Sequence, residues 1–139
     1  MRIEDSDIHH LIKDVYIFDE GTYYFFDTFI VSEINQDIIY NWETAQNMIK
    51  SAIEFYGKDS LSSISYISNR INSYAVKPAD WLKFFKSNLN MNAYAIVTYN
   101  NRSYINATLE TYLWGSKNSS CFTDLSEAIR WVSPSLHFS

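Results

Sequence analysis

One cysteine, three glycines and two prolines are all that this chain of 139 residues has of those types. A lone Cys121 excludes an internal disulfide framework and a cysteine-built zinc site. So little glycine and proline excludes collagen-like and low-complexity chains. With glycine only at 21, 57 and 115, there is no glycine-rich phosphate loop. Long apolar runs are missing as well. The longest, Tyr23 to Val31, is interrupted by Asp27 and Thr28 and falls far short of the roughly 20 residues of a membrane helix. The first 14 residues carry Glu4, Asp5 and Asp7, with neither the basic start nor the apolar middle of a secretory signal. The expectation is a cytoplasmic protein with no integral membrane segment.

Hydrophobic residues make up 47% of the chain and charged residues 19%, enough to build a core. The length suits a single domain over 1–139, with a core at about 15–132 and frayed ends at 1–13 and 133–139. A net charge of -5 argues against nucleic acid as a partner. That charge is uneven. Residues 1–60 hold twelve acids against four bases, whereas 61–139 hold four acids against seven bases.

Patterning places the elements. Residues 15–19 read as a strand, Glu20-Gly21 as a hairpin turn and the aromatic, β-branched run 22–31 as a second strand. Trp42, Ala45, Ile49, Ala52, Ile53 and Tyr56 recur at helical spacing, between Asn41 as N-cap and Gly57 as stop. A third strand spans 62–68, and a long connection follows at 69–77. Pro78 opens a helix carrying Trp81, Leu82, Phe84, Phe85 and Leu89. A fourth strand spans 93–99. Asn100 or Asn101 caps the next helix, with Ile105, Leu109, Tyr112 and Leu113 facing inward. A fifth strand lies at 119–122, and Thr123 caps a last helix that buries Leu125, Ala128, Ile129 and Val132. This alternation predicts an α/β fold: a mixed, mainly parallel sheet of about five strands with an N-terminal hairpin and four helices.

That order, over about 15–132, resembles the SpoIIAA-like or STAS fold of anti-sigma factor antagonists and sulphate transporter tails. The chain looks most like small bacterial STAS-like proteins of unassigned function. The stretches that carry the likeness are Tyr24-Phe25-Phe26-Asp27 with Ser32-Glu33, then Tyr66 to Tyr74. Ala95-Ile96-Val97 and Leu125-Ser126-Glu127-Ala128-Ile129 also fit. The resemblance implies a non-enzymatic regulatory module with a protein partner of anti-sigma or other signalling type. It also implies a phosphorylated serine after the third strand, in the context Asp-Ser-(Ser/Thr)-Gly. Here Ser68-Asn69-Arg70 departs from that pattern, so either Ser68 or Ser73 is the counterpart.

In open α/β sheets, ligands bind beyond the carboxyl ends of the strands, where helix N-termini favour anions. Two polar clusters are expected there. One holds Ser68, Asn69, Arg70, Asn72, Ser73 and Tyr74; the other holds Asn100, Asn101, Arg102 and Tyr104. Arg70 and Arg102 supply planar forks suited to phosphate or carboxylate. The alternative left open is that the asparagines cap helices, the serines fill turns and both arginines are solvated.

No nucleophile-elbow motif is present, so no catalytic residue is assigned. His9, His10 and His137 lack an evident further ligand, and no metal or cofactor is expected. Trp81, Phe84 and Phe85 beside Lys77, Lys83 and Lys86 leave two readings open: core packing with extended lysines, or a partner or membrane surface. The leading functional reading is a regulatory, protein-interaction module, controlled by phosphorylation or by a small anionic ligand at the loop after the third strand. The second is a carrier of an anionic or lipid-like small molecule. A homodimer through the hairpin edge is a further expectation.

Overall fold

Eight strands and three α-helices lie among the residues that the computed structural model describes: 1–76, 80, 91–114 and 118–136, without the side chains of 112–114. Six strands form one mixed sheet. Its spatial order is β1 (Asp14–Phe18), β2 (Gly21–Phe25), β3 (Phe29–Ile34), β5 (Ser65–Asn69), β7 (Tyr94–Val97) and β8 (Ser119–Phe122). The first three are antiparallel neighbours, and β3, β5, β7 and β8 run parallel. A separate parallel ribbon pairs β4 (Ile39–Tyr40) with β6 (Ala75–Val76). The helices are α1 (Trp42–Tyr56), α2 (Asn101–Trp114) and α3 (Leu125–Val132).

The α/β class and the mainly parallel mixed sheet agree with the sequence reading. The strand count does not: there are six strands in the sheet, because 22–31 is not one strand. It folds back at Asp27 and Thr28, both exposed, with Phe26 N–H donating to Phe29 C=O at 2.9 Å. Propensity cannot separate one long strand from two short ones when both halves are aromatic. Two polar residues at the tip make the difference. Tyr56 at the end of α1 pins this turn, its one hydroxyl proton shared between the carbonyls of Phe26 and Phe29.

The first hairpin is also shifted by one residue, turning at Asp19-Glu20 while Gly21 begins β2. Gly21 serves a close approach there. Its φ is +155°, and a Cβ would lie 2.5 Å from the Glu33 carbonyl oxygen on β3.

Helix α1 has the expected bounds. Asn41 Oδ1 accepts from Thr44 N–H at 2.9 Å, and Gly57, at φ +87°, ends it. The strand expected from 62 begins at Ser65, after a 3-10 turn over Lys58–Ser63 that buries Leu61. The strand expected at 93–99 is confined to Tyr94–Val97. Asp124, not Thr123, caps α3, accepting from Ser126 N–H at 2.9 Å. The helix expected after Pro78 lies outside the described residues, apart from Asp80.

Two apolar layers cover the sheet. On one face Phe25, Ile30, Ile34, Tyr66, Tyr94 and Ile96 pack with Met48, Ile49 and Ala52 of α1 and Ala107 of α2. On the other, Val31, Ile67, Ala95 and Val97 pack with Leu125, Ala128 and Ile129 of α3 and with Ile3 and Ile8. Residues 1–13 are therefore not frayed. They form two 3-10 turns, Ile3–Asp5 and His9–Leu11, with Ile3 fully buried. Burying Ile3 contributes about 1.5–3 kcal/mol, to which burial of Ile8 and the segment's hydrogen bonds to the sheet add. At the other end, 133–136 are described and Leu136 packs on the second layer.

Helix α2 is rotated from the expected setting. Ile105 and Leu109 are 63% and 61% exposed, while Ala107 and Glu110 face the sheet; the side chains of Tyr112 and Leu113, also expected inside, lie outside the described residues. A small residue and a carboxylate form its inner side because Glu110 meets a buried arginine there.

Candidate functional site

The connection after β5 returns along the sheet edge. Alternation along β5 puts Tyr66, Ser68 and Arg70 on the face covered by α1 and α2, and Asn69 on the opposite face. Arg70 is the centre of the first group. Its side chain is 9% exposed and grips Glu110 with two N–H groups, one of them 2.7 Å from Oε1. Its Nε donates to Ser68 Oγ at 3.1 Å and its Nη2 to Tyr94 OH at 3.2 Å. The guanidinium lies 5.2 Å from the centre of the Tyr74 ring. Burial by itself would lower the Arg70 pKa. Tyr74, Tyr94 and the Glu110 carboxylate outweigh it and hold the pKa well above the usual value. Burial pushes the hydroxyls of Tyr40, Tyr66 and Tyr94 up as well, so these phenols stay protonated.

Among the described residues three cavities adjoin at this point, and Arg70 and Tyr74 line all of them. The innermost is an apolar chamber of about 30 Å³, walled by Tyr40, Met48, Tyr66, Val76, Met91 and Tyr94 among others. That is room for about one water. A cleft of about 260 Å³ runs past Ala75, Val76, Asn106, Leu109 and Glu110. A polar cleft of about 290 Å³ is lined by Asn72, Ser73, Asn100, Arg102, Ser103 and Asn106 in addition to Arg70 and Tyr74. Together they grade from aromatic to polar along the start of α2.

Of the residues singled out in the sequence, Arg70, Asn72, Ser73, Tyr74 and Arg102 meet in this polar cleft. Asn72 also donates to the Ile34 carbonyl at 3.1 Å, and Ser73 is exposed. Ser68 is 1% exposed, bonded to Tyr74 OH at 2.7 Å and to Arg70. A kinase cannot reach Ser68 without opening the loop. Asn101 lies beyond Asn100, in a separate cleft of about 430 Å³ with Thr98, Tyr99, Tyr104 and Thr123. Asn69 belongs to neither. Buried at 1%, it donates to Glu33 Oε2 and accepts from Tyr99 OH at 2.6 Å, on the opposite face of the sheet.

Asn100 caps α2, accepting from Ser103 N–H at 2.8 Å. The first turn of α2, the positive end of the helix dipole, thus lines the cleft together with Arg102, which is exposed. Glu110, Tyr40, Tyr66 and Tyr94 were not anticipated. The available signal was register: Tyr66 and Tyr94 are partners on adjacent parallel strands, so one face carries stacked rings 5.6 Å apart. Among the described residues no group of three metal-binding side chains occurs, and no helix is long and apolar enough to cross a membrane. His9 Nδ1 lies 3.1 Å from the Ser6 carbonyl, and His137 is outside the described residues. The chain matches no protein-family model, no curated protein and no solved structure.

Proposed function

We propose that this chain is a STAS-like regulatory binding module without catalytic activity, and that it takes a small anionic ligand in the polar cleft between residues 70–76 and the start of α2. One observation carries the reading. Two segments far apart in sequence, 70–74 and 100–106, converge on one cleft that combines an exposed arginine with the N-terminal turn of a 14-residue helix. The charge that attracts the anion is that of Arg102, because Arg70 is already neutralised by Glu110. Arg70 instead fixes the wall on which the Tyr74 ring stands. The small chamber behind it does not have the volume of a lipid pocket, which favours a compact ligand over a lipid-like one.

The test is calorimetric titration with inorganic phosphate as probe. Arg102→Ala should weaken binding about tenfold, the scale of one lost charge-assisted contact. Asn101→Ala, on the far side of Asn100, should leave the affinity unchanged. Absent phosphate binding, or equal affinity in Arg102→Ala, removes the reading.

A second reading keeps the same cleft but places the anion on the protein. Ser73 is exposed and lines the cleft with Arg102, so a phosphate on its hydroxyl would lie within the arginine's field and alter the surface offered to a protein partner. A mass increase of one phosphate, mapped to Ser73 in protein drawn from its own host, would favour it.

A further inference from the structure

On the face opposite the Arg70 cleft, the carboxyl edge of the sheet is covered by the chain's own first residues. Asn69 Nδ2 donates to the Met1 carbonyl at 2.8 Å, and the Tyr99 hydroxyl, whose proton goes chiefly to Asn69 Oδ1, lies 3.2 Å from the same carbonyl. Ile3 N–H donates to Glu33 Oε2 at 2.7 Å while its side chain is fully buried. Tyr24 OH donates to Glu4 Oε1 at 2.8 Å, and Ile8 closes the far end.

Glu33 sits beneath this strap, 5% exposed, and its two oxygens are treated unequally. Oε2 accepts from Ile3 N–H and from Asn69 Nδ2. Oε1 is buried and has no hydrogen-bond partner. Arg2 faces it from 4.0 Å, on a side chain that is 59% exposed. Burying an ionised carboxylate with one oxygen so poorly solvated costs more than burying its neutral form, whose proton would sit on Oε1. Undocking the strap returns water to Oε1 and removes the Ile3 bond.

We propose that residues Met1–Ile8 are a strap whose docking over the carboxyl edge is coupled to protonation of Glu33: the strap is held when the carboxyl group is neutral and loosened when it ionises.

The groups that set this balance come from each neighbouring element. The strap brings Arg2, which favours the ionised form, and Glu4, which opposes it. Strand β2 brings Tyr24, β5 brings Asn69, and Tyr99 follows β7 with Asp124 of the α3 cap facing it. Burial is the largest influence and pushes the Glu33 carboxyl above its usual value. A raised value in the docked state gives the sign. Docking is fully favoured below the ordinary carboxylate range and weakens as pH rises through the docked-state value.

The test follows the Glu33 carboxyl carbon and the exchange protection of the Ser6 and Leu11 amides by NMR, from roughly pH 4 to 8. In the unaltered chain, protection should fall several-fold across the Glu33 midpoint. In Glu33→Gln it should be flat with pH. In Ile3→Asp, which expels the strap, the Glu33 midpoint should return to the ordinary carboxylate range. If that variant does not fold, Ile3→Ala should move the midpoint the same way by less. Constant protection through the Glu33 titration, or the same pH dependence in Glu33→Gln, overturns the proposal. None of these readouts depends on the ligand cleft.

Discussion

Arg70 and Glu110, 40 residues apart in sequence, form a two-pronged ion pair that joins the end of β5 to the inner side of α2. Both side chains are more than nine-tenths buried. A buried pair of this kind is worth little against a well-packed apolar replacement, yet breaking it strands a charge. Glu110→Ala should therefore lower unfolding stability by about 3–5 kcal/mol in urea titrations. The double change Arg70→Met with Glu110→Leu should lose less than Glu110→Ala alone. Equal losses in both would mean that packing, not the stranded guanidinium, sets the cost.

Gly21 and Gly57 both have positive φ, and they predict different penalties. At Gly57 a methyl group meets nothing within 4 Å, so Gly57→Ala should cost only the strain of a backbone conformation that favours glycine, about 1–3 kcal/mol. At Gly21 the same methyl group would lie 2.5 Å from the Glu33 carbonyl oxygen and 2.8 Å from Ile34 Cα, both in backbone that cannot yield cheaply. Gly21→Ala should be the more damaging change in thermal melts. The reverse order would show that β2 and β3 can separate at that point.

Cys121 is half-buried on β8, and burial raises its thiol pKa above the ordinary value. Since the thiolate is the reacting form, alkylation by iodoacetamide at about pH 8 should be slower than for an exposed peptide thiol. Mass spectrometry over time measures this directly. A rate equal to the peptide's would place the sulfur at the surface.

Much of the fold was legible because its elements rest on local signals. Asn41 and Gly57 bracket α1 as caps do anywhere, and the apolar spacing between them leaves no other period. The alternation of strands and helices led to the parallel part of the sheet. What escaped was non-local. The run at 22–31 has the same propensity on either side of Asp27-Thr28, so nothing in it counts strands. The first 13 residues are polar enough to be read as loose, and only the sheet supplies the pocket that buries Ile3 and Ile8. The inner side of α2 departs from the apolar pattern because an arginine 40 positions away makes Glu110 preferable to Leu109 at the interface.

The candidate cleft was legible in part for the same reason. Polar residues at strand ends and helix starts mark a sheet edge, and Arg70, Asn72, Ser73, Tyr74 and Arg102 gather there. Asn69 goes to the other face because a strand alternates and β5 runs to Asn69, one residue past the expected strand end at 68. The aromatic wall behind the cleft depends on register between β5 and β7, which no single-strand pattern reveals.

The two-residue ribbon of β4 and β6 gives the cleft a mechanical neighbour. Asp37 N–H donates to the Ser73 carbonyl and Ala75 N–H to the Ile38 carbonyl, each at 2.9 Å. Directly after the ribbon, Trp42 N–H at the head of α1 donates to Asp80 Oδ2 at 2.7 Å. The wall of the cleft and the first turn of α1 are thus stitched from both sides to one short segment. Any event that shifts residues 72–76 tugs on 37–42, so an occupant of the cleft would be felt at the opening of the helix that spans the sheet, at a distance from anything it touches.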